Sequence, residues 1–205
     1  MTSDLPPYPE YKDSGLPWFG SVPAHWELRK LGHVLSERGE VNSDGRLQKV
    51  LSVLRDKGVI PYEDKGNIGN KKSEDVTRYK IVRPKDIVVN CMNVIIGSVG
   101  MSQYTGCLSP VYYVLRTRRS DDLPEYFEAV FKIKRFQHCL TRIGNGILAH
   151  RMRIPMELLK CELMPRPPLA EQRAIVQYLH DAERKTRKFI HNRRRLIEVL
   201  NEQKQ

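Results

Sequence analysis

Cysteine is scarce and scattered in this chain. The four residues, Cys91, Cys107, Cys139 and Cys161, never fall within three positions of one another, which excludes a Cys-x-x-Cys zinc or redox pair. Isolated thiols of this kind are expected to be buried and reduced. The six histidines form no His-Glu-x-x-His pattern. Long apolar runs are also missing. The longest stretches, around Ile87–Val89 and Val94–Ile96, are far too short to cross a bilayer. The first 25 residues carry Asp4, Glu10, Lys12 and Asp13 and no apolar run, unlike a signal peptide. A cytoplasmic protein without a membrane partner is expected.

Catalytic signatures are equally sparse. There is no Gly-x-x-x-x-Gly-Lys-Ser/Thr phosphate loop and no Gly-x-Ser-x-Gly nucleophile elbow. The Gly97-Ser98-Val99-Gly100 stretch is too short for a dinucleotide fingerprint and suits a tight turn. The Asn/Asp-Pro-Pro-Tyr/Phe tetrapeptide of amino-methyltransferases is absent. Glu63-Asp64-Lys65 resembles the Glu-x-Lys half of a metal-dependent nuclease site. Its second acid would have to come from Asp44 or Asp56, with no spacing to favour either. No catalytic residue, metal or resident cofactor is therefore expected, and a nuclease fragment is the rival reading.

What the chain does have is positive charge. Its 205 residues carry a net charge of +11, with a pI near 9.6. The charge is spread along the chain. From Leu169 onward there are nine Lys and Arg against five Asp and Glu; before that, 26 against 19. Such a balance favours an acidic partner, nucleic acid first. With 40% apolar residues, a real core is also expected.

Residues 1–25 read as an extended stretch rich in proline and glycine, pinned by Trp18, Phe19 and the adjoining Trp26. Glu27–Arg38 suits a strand-to-helix transition, and residues 48–54 a strand. A polar loop stretch follows, broken by a short extended piece at Val59–Ile60. Tyr79–Val82, Asp86–Asn90, Val94–Ile96, Val99–Ser102 and Pro110–Leu115 read as strands, with turns at Gly97 and Gly106. Pro124–Leu140 changes to a helical period, with Asp121 or Asp122 available as cap. Ile147, Met152 and Ile154 alternate like a strand, and Leu158–Met164 suits one more. The fold class is α+β: one β-rich globular domain over residues 1–167, then a long helix over 168–205.

That helix is the clearest signal. No Pro or Gly follows Pro168, and Glu171 lies in the first turn, where the helix dipole favours an acid. Ile175, Leu179, Ala182, Phe189, Leu196 and Leu200 recur at alternating spacings of four and three, with Thr186 and Arg193 filling the two remaining positions. A period of 3.5 marks a seam that seeks another helix. The rod would extend roughly 50 Å at 1.5 Å per residue. Its partner is the globular part, a second copy or another protein.

Two segments have the side chains to bind DNA. One holds Arg55, Lys57, Lys65, Asn67, Asn70, Lys71, Lys72 and Arg78; the other holds Arg142, Asn145, His150, Arg151 and Arg153 around a Gly-Asn-Gly turn. Arg and Lys bond guanine O6 and N7, Asn bonds adenine N6 and N7, and the remaining cations suit phosphates.

Taken in order, several stretches resemble the specificity subunit of type I restriction–modification enzymes. YKDSGLPWFGSVPAHWELRKLGHV is similar to the opening of that family's target-recognition domain. SVLRDKGVIPYEDK, RYKIVRPKDIVVNCMN, GSVGMSQYTGCLSPVYYVL and GNGILAHRMRI follow in the family's order, and PRPPLAEQRAIVQYLHDAE resembles the start of its spacer helix. The resemblance implies a non-catalytic subunit that reads part of a bipartite site on double-stranded DNA. It implies methyltransferase (modification) subunits using S-adenosylmethionine and restriction/motor subunits, so that S-adenosylmethionine, ATP and Mg2+ belong to partners. A usual member carries two recognition domains and two helical regions, and this chain holds one of each. A natural half-sized subunit would pair through its helix into a homodimer reading an interrupted palindrome; the alternative is a fragment of a longer subunit. A pure assembly module that holds a methyltransferase without reading sequence is the remaining rival.

Overall fold

The computed structural model describes residues 8–55, 57–67, 71–146 and 152–202. The elements in chain order are β1 (Tyr11–Asp13), β2 (Ser21–Pro23), β3 (Glu27–Lys30), α1 (Leu31–Val34), β4 (Leu35–Glu37), β5 (Leu51–Leu54) and β6 (Gly58–Pro61). Then come β7 (Lys80–Val82), β8 (Ile87–Asn90), β9 (Val99–Met101), β10 (Gly106–Leu108), β11 (Tyr112–Thr117), α2 (Pro124–Lys132), α3 (Lys134–Cys139), α4 (Met156–Leu159), β12 (Leu163–Arg166) and α5 (Leu169–Glu202). Short 3-10 turns lie at Tyr62–Lys65, Val94–Ile96 and Leu140–Ile143. The fold is α+β, a β-rich head followed by one long helix.

The centre of the head is an antiparallel sheet in the order β4-β11-β8-β9. Strand β8 is buried at all of its positions. Successive side chains of a strand point to opposite faces, so β8 serves two cores. Ile87 and Val89 join Tyr113 and Leu115 on one face, while Val88 joins Val114 on the other. The β8–β11 register sets each of these pairs opposite one another. Phe127, Phe131 and Phe136, from α2 and α3, fill the first core. The β5–β6 hairpin lays Leu51, Val53 and Val59 over the second. That hairpin comes very close to the sheet edge. A Cβ on Gly100 would lie 2.7 Å from the Gly58 Cα and 2.9 Å from the Val59 nitrogen.

Several expectations from sequence need correction. Val94–Ile96 is a 3-10 turn rather than a strand, because the Asn93 carbonyl accepts both the Ile96 and Ser98 N–H groups and Gly97 turns left-handed at φ 92°. Gly106 lies within β10, where a Cβ would meet the Lys49 carbonyl at 2.6 Å, so closeness rather than turning requires glycine there. The helix expected over Pro124–Leu140 breaks at Ile133, whose backbone is extended. The break strips the Phe131 carbonyl of its helical partner, and the buried Gln137 amide donates to it at 2.8 Å instead. Asp121 and Asp122 do not cap α2; both carboxylates are drawn to Arg166. Residues 158–164 divide between α4 and β12. Met152 and Ile154 flank a single Asn145–Arg153 bridge rather than a strand, and Ile147 lies outside the described residues. Cys91 and Cys107 are buried, and burial pushes both thiols up, but Cys139 is half-buried and Cys161 exposed.

The root of α5 is bolted to the head by polar contacts. Gln172, fully buried, accepts the Leu123 N–H at 2.8 Å and donates to the Pro167 carbonyl at 2.9 Å. Glu171 accepts hydrogen bonds from the Tyr8 hydroxyl and the Trp26 indole, both at 2.7 Å, and pairs with His25 at 2.6 Å. Just upstream, Arg166 is held by Asp122 at 2.6 Å, Asp121 at 2.8 Å and Glu27 at 3.1 Å. Val176 and Ile175 complete the joint against the main core.

Candidate nucleic-acid interface

The segment after β5 turns on itself because its tyrosines pin it. The Tyr62 hydroxyl accepts the Lys72 backbone N–H, and the Tyr79 hydroxyl accepts that of Ser73, both at 2.9 Å. Lys71 and Lys72 thereby line the same groove as β5. The groove has a volume of about 640 Å³ and is lined by Val50–Arg55 and by Asn90, Met92, Asn93, Ile96 and Ser98. Tyr62, Tyr79, Ser109, Val111 and Tyr112 also line it.

Four of the cations expected from sequence meet there: Arg55, Lys65, Lys71 and Lys72. Lys65 is nearly buried, with its ammonium 4.2 Å from the centre of the Tyr62 ring. Lys72 lies 5.6 Å from the same ring and 3.7 Å from Glu63. Arg55 crosses the Gly97 turn, where a Cβ would be 3.5 Å from its Cγ. Cations beside aromatic faces at an exposed cleft suit a polyanion whose bases can also be contacted.

The remaining candidates are dispersed. Lys57, Asn67 and Arg78 are exposed but do not line the groove. Arg142 is engaged by the buried carboxylate of Glu162, and Asn145 is bridged to Arg153. Arg153 lies beside the Cys91 thiol and the Tyr113 hydroxyl, at the end of β8. The second basic segment thus reaches the same strand end that floors the groove. Asn70, His150 and Arg151 lie outside the described residues.

Sequence reasoning missed Asn90, Asn93 and Tyr112 as groove residues. The available signal was an abrupt change from Ile87-Val88-Val89 to Asn90-Cys91-Met92-Asn93, polar amides ending a fully apolar strand. Among the described residues, Glu63, Lys65 and Asp44 do not come together as a nuclease site. Glu63 points outward to Lys72, Lys65 is turned inward against Tyr62, Asp44 pairs with Arg46 at 3.2 Å, and Asp56 lies outside the described residues. Among the described residues, no cluster of three His, Cys, Asp or Glu side chains could hold a metal, and no helix is long and apolar enough to cross a membrane.

The second functional surface is α5. Ile175 packs on the head, and Ala182 is half-buried. Leu179, Phe189, Leu196 and Leu200 are 42%, 59%, 48% and 49% exposed, with Thr186 and Arg193 exposed between them. The Arg193 guanidinium lies 5.0 Å from the Phe189 ring centre. Tyr178, Ile190, Ile197 and Val199 widen the apolar face beyond the seam read from sequence. The exposed stripe is thus broader than the strict heptad seam.

No family model matches the chain, and no curated protein matches it in sequence. Solved structures do match it. A chain from a structure concerned with complex assembly and conformational transition of the type I R-M system is 18% identical, with a TM-score of 0.56 over 87% of this chain and 42% of that one. The HsdS subunit from Thermoanaerobacter tengcongensis is 19% identical, with a TM-score of 0.52 over 85% of this chain and 40% of the subunit. The chain therefore shares the fold of the type I HsdS subunit and spans about two-fifths of the length of these relatives.

Proposed function

We propose that the chain is a DNA sequence-recognition subunit of a type I restriction–modification system. It reads one half of a bipartite site and docks a methyltransferase subunit. The observation that carries this reading is the pairing, within an HsdS-like fold, of a basic groove in the head with a 34-residue helix whose apolar edge is left uncovered. The groove cations hold phosphates and amides read base edges. The helix spaces the head from a second reader. Chemistry belongs to the partners: methylation with S-adenosylmethionine, and ATP-driven translocation and cleavage by the restriction/motor subunit.

The second reader is a second copy of this chain. The seam is self-complementary when two helices lie antiparallel about a dyad between residues 187 and 188. Leu179 then faces Leu196, and the small Ala182 and Thr186 face the large Arg193 and Phe189, while Ile175 stays with the head. Such a two-fold pair sets identical heads on an interrupted palindrome.

Selection of bound sites from random duplex DNA tests the reading. An enriched sequence is expected; binding without enrichment would leave only an assembly role. Solution mass across a dilution series tests the pairing, and a monomer at high concentration would refute it for the free protein.

A further inference from the structure

Asn90 is the more deeply set of the two asparagines that line the groove. It is 8% exposed and closes the buried strand β8. Its position is fixed from three directions. Its side-chain oxygen accepts the Met92 N–H at 3.1 Å, its own N–H donates to the Ser98 carbonyl at 3.0 Å, and its carbonyl accepts the Asn93 N–H at 3.0 Å. No described residue accepts a hydrogen bond from its amide nitrogen, although the side chain lines the groove. A donor held on a central strand, recessed and left without a protein acceptor, leaves a hydrogen bond for a ligand to complete.

We infer that Asn90 is a base-reading residue of the groove, donating from its amide nitrogen to an acceptor-only base edge, the O6/N7 edge of guanine, that projects between the lips of the groove. The inference rests on the DNA-recognition reading above and names one of its specificity determinants. The chemistry selects the edge. One lone pair of the amide oxygen is taken by the Met92 N–H while both N–H donors stay open, so the side chain is weighted towards donation; guanine offers two adjacent acceptors in the major groove, whereas adenine pairs one acceptor with a donor. Lys71 and Lys72, which line the same groove and are exposed, are available to take flanking phosphates. A phosphate oxygen is also an acceptor, so the test must separate base from backbone.

The test is site selection from random duplex DNA with the full chain, run in parallel on wild type, Asn90→Ala and Asn90→Asp. Aspartate keeps the oxygen that accepts the Met92 N–H but replaces the donor with an acceptor, so it carries the test if alanine fails to fold. Wild type is expected to enrich guanine at one position. Asn90→Asp should exchange that guanine for a base with an amine edge, and Asn90→Ala should lose the preference there alone, with roughly tenfold weaker binding to the wild-type site. The salt dependence of binding should be unchanged in Asn90→Ala, since a neutral amide displaces no counterion. Uniform weakening over all sequences in both variants assigns the amide to a phosphate and overturns the inference. Identical selected motifs in all three proteins also overturn it. If wild type itself enriches nothing, it is the underlying recognition reading that fails.

Discussion

The carboxylate of Glu171, in the first turn of the long helix, accepts the indole N–H of Trp26 at 2.7 Å across 145 positions of sequence. Tyr8 and His25 bond the same carboxylate. Burial pushes the Glu171 carboxyl up, but the hydrogen bonds from Tyr8, Trp26 and His25 outweigh it, and it titrates below the ordinary value of 4.5. The phenol of Tyr8 is raised to about 12 by burial and by this acid.

Glu171→Gln should therefore destabilise the protein by about 1 kcal/mol at neutral pH, the net scale of one hydrogen bond at a partly exposed site. A carboxyl lowered in the folded state contributes fully above its unfolded value, and the contribution disappears as the pH falls through the folded one. The gap between wild type and variant should hold from pH 7 to about 5 and close below the lowered folded value. Thermal melts of both proteins from pH 7 to 3 measure it. A gap that widens in acid contradicts the assignment.

Phe189→Asp should abolish helix-mediated association while leaving the head intact. Phe189 is 59% exposed and touches no core, so its loss costs the monomer little. Leu179→Glu should act likewise, although Leu179 also borders α2. Sedimentation across a dilution series, with melting as the control, checks both. Unchanged assembly in both variants removes the seam from the interface.

Lys71→Ala and Lys72→Ala should each weaken DNA binding at all sequences and flatten the salt dependence by about one unit, if each displaces one phosphate counterion. Titrations at four or five salt concentrations give the slope. A slope equal to wild type takes that lysine out of the footprint.

Gly100→Ala should cost roughly 2 kcal/mol, within the range for overpacking. Its new methyl meets backbone atoms of Gly58 and Val59 rather than a movable side chain end. Because the β5–β6 hairpin forms one wall of the groove, DNA affinity should fall together with stability. Chemical denaturation and a binding titration on the same preparation test the coupling.

The long helix was legible because its signals are local: prolines before Leu169, an acid in the first turn and a regular apolar spacing. Strand β8 was legible from its unbroken Ile87-Val88-Val89 run. The Val94–Ile96 turn was not, because three β-favouring residues were overruled by the Asn93 carbonyl and the left-handed Gly97. The break at Ile133 depends on a side chain, Gln137, whose service to the Phe131 carbonyl leaves no mark in the periodicity. The four groove cations could be named as candidates, but not separated from Lys57, Asn67 and Arg78, since only the fold decides which face the cleft. Asn90 is held by near neighbours, but the groove it lines is completed by residues 50–55 and by Tyr112, far from it in sequence. Ile190 and Ile197 were overlooked because a strict heptad leaves them beside the seam.

The joint at Gln172 has a geometric consequence. Since α5 continues without interruption from a fully buried glutamine to Glu202, rotation cannot be absorbed between head and rod. Each residue inserted into the exposed part of the rod would swing everything beyond it by about 100° and advance it by about 1.5 Å. Seven residues bring the apolar edge nearly back into phase, with an advance of about 10 Å. Length changes that keep the edge in phase are thus limited to nearly whole numbers of helical turns, and so, in a two-headed assembly, the stretch of double helix lying unread between the heads changes in steps.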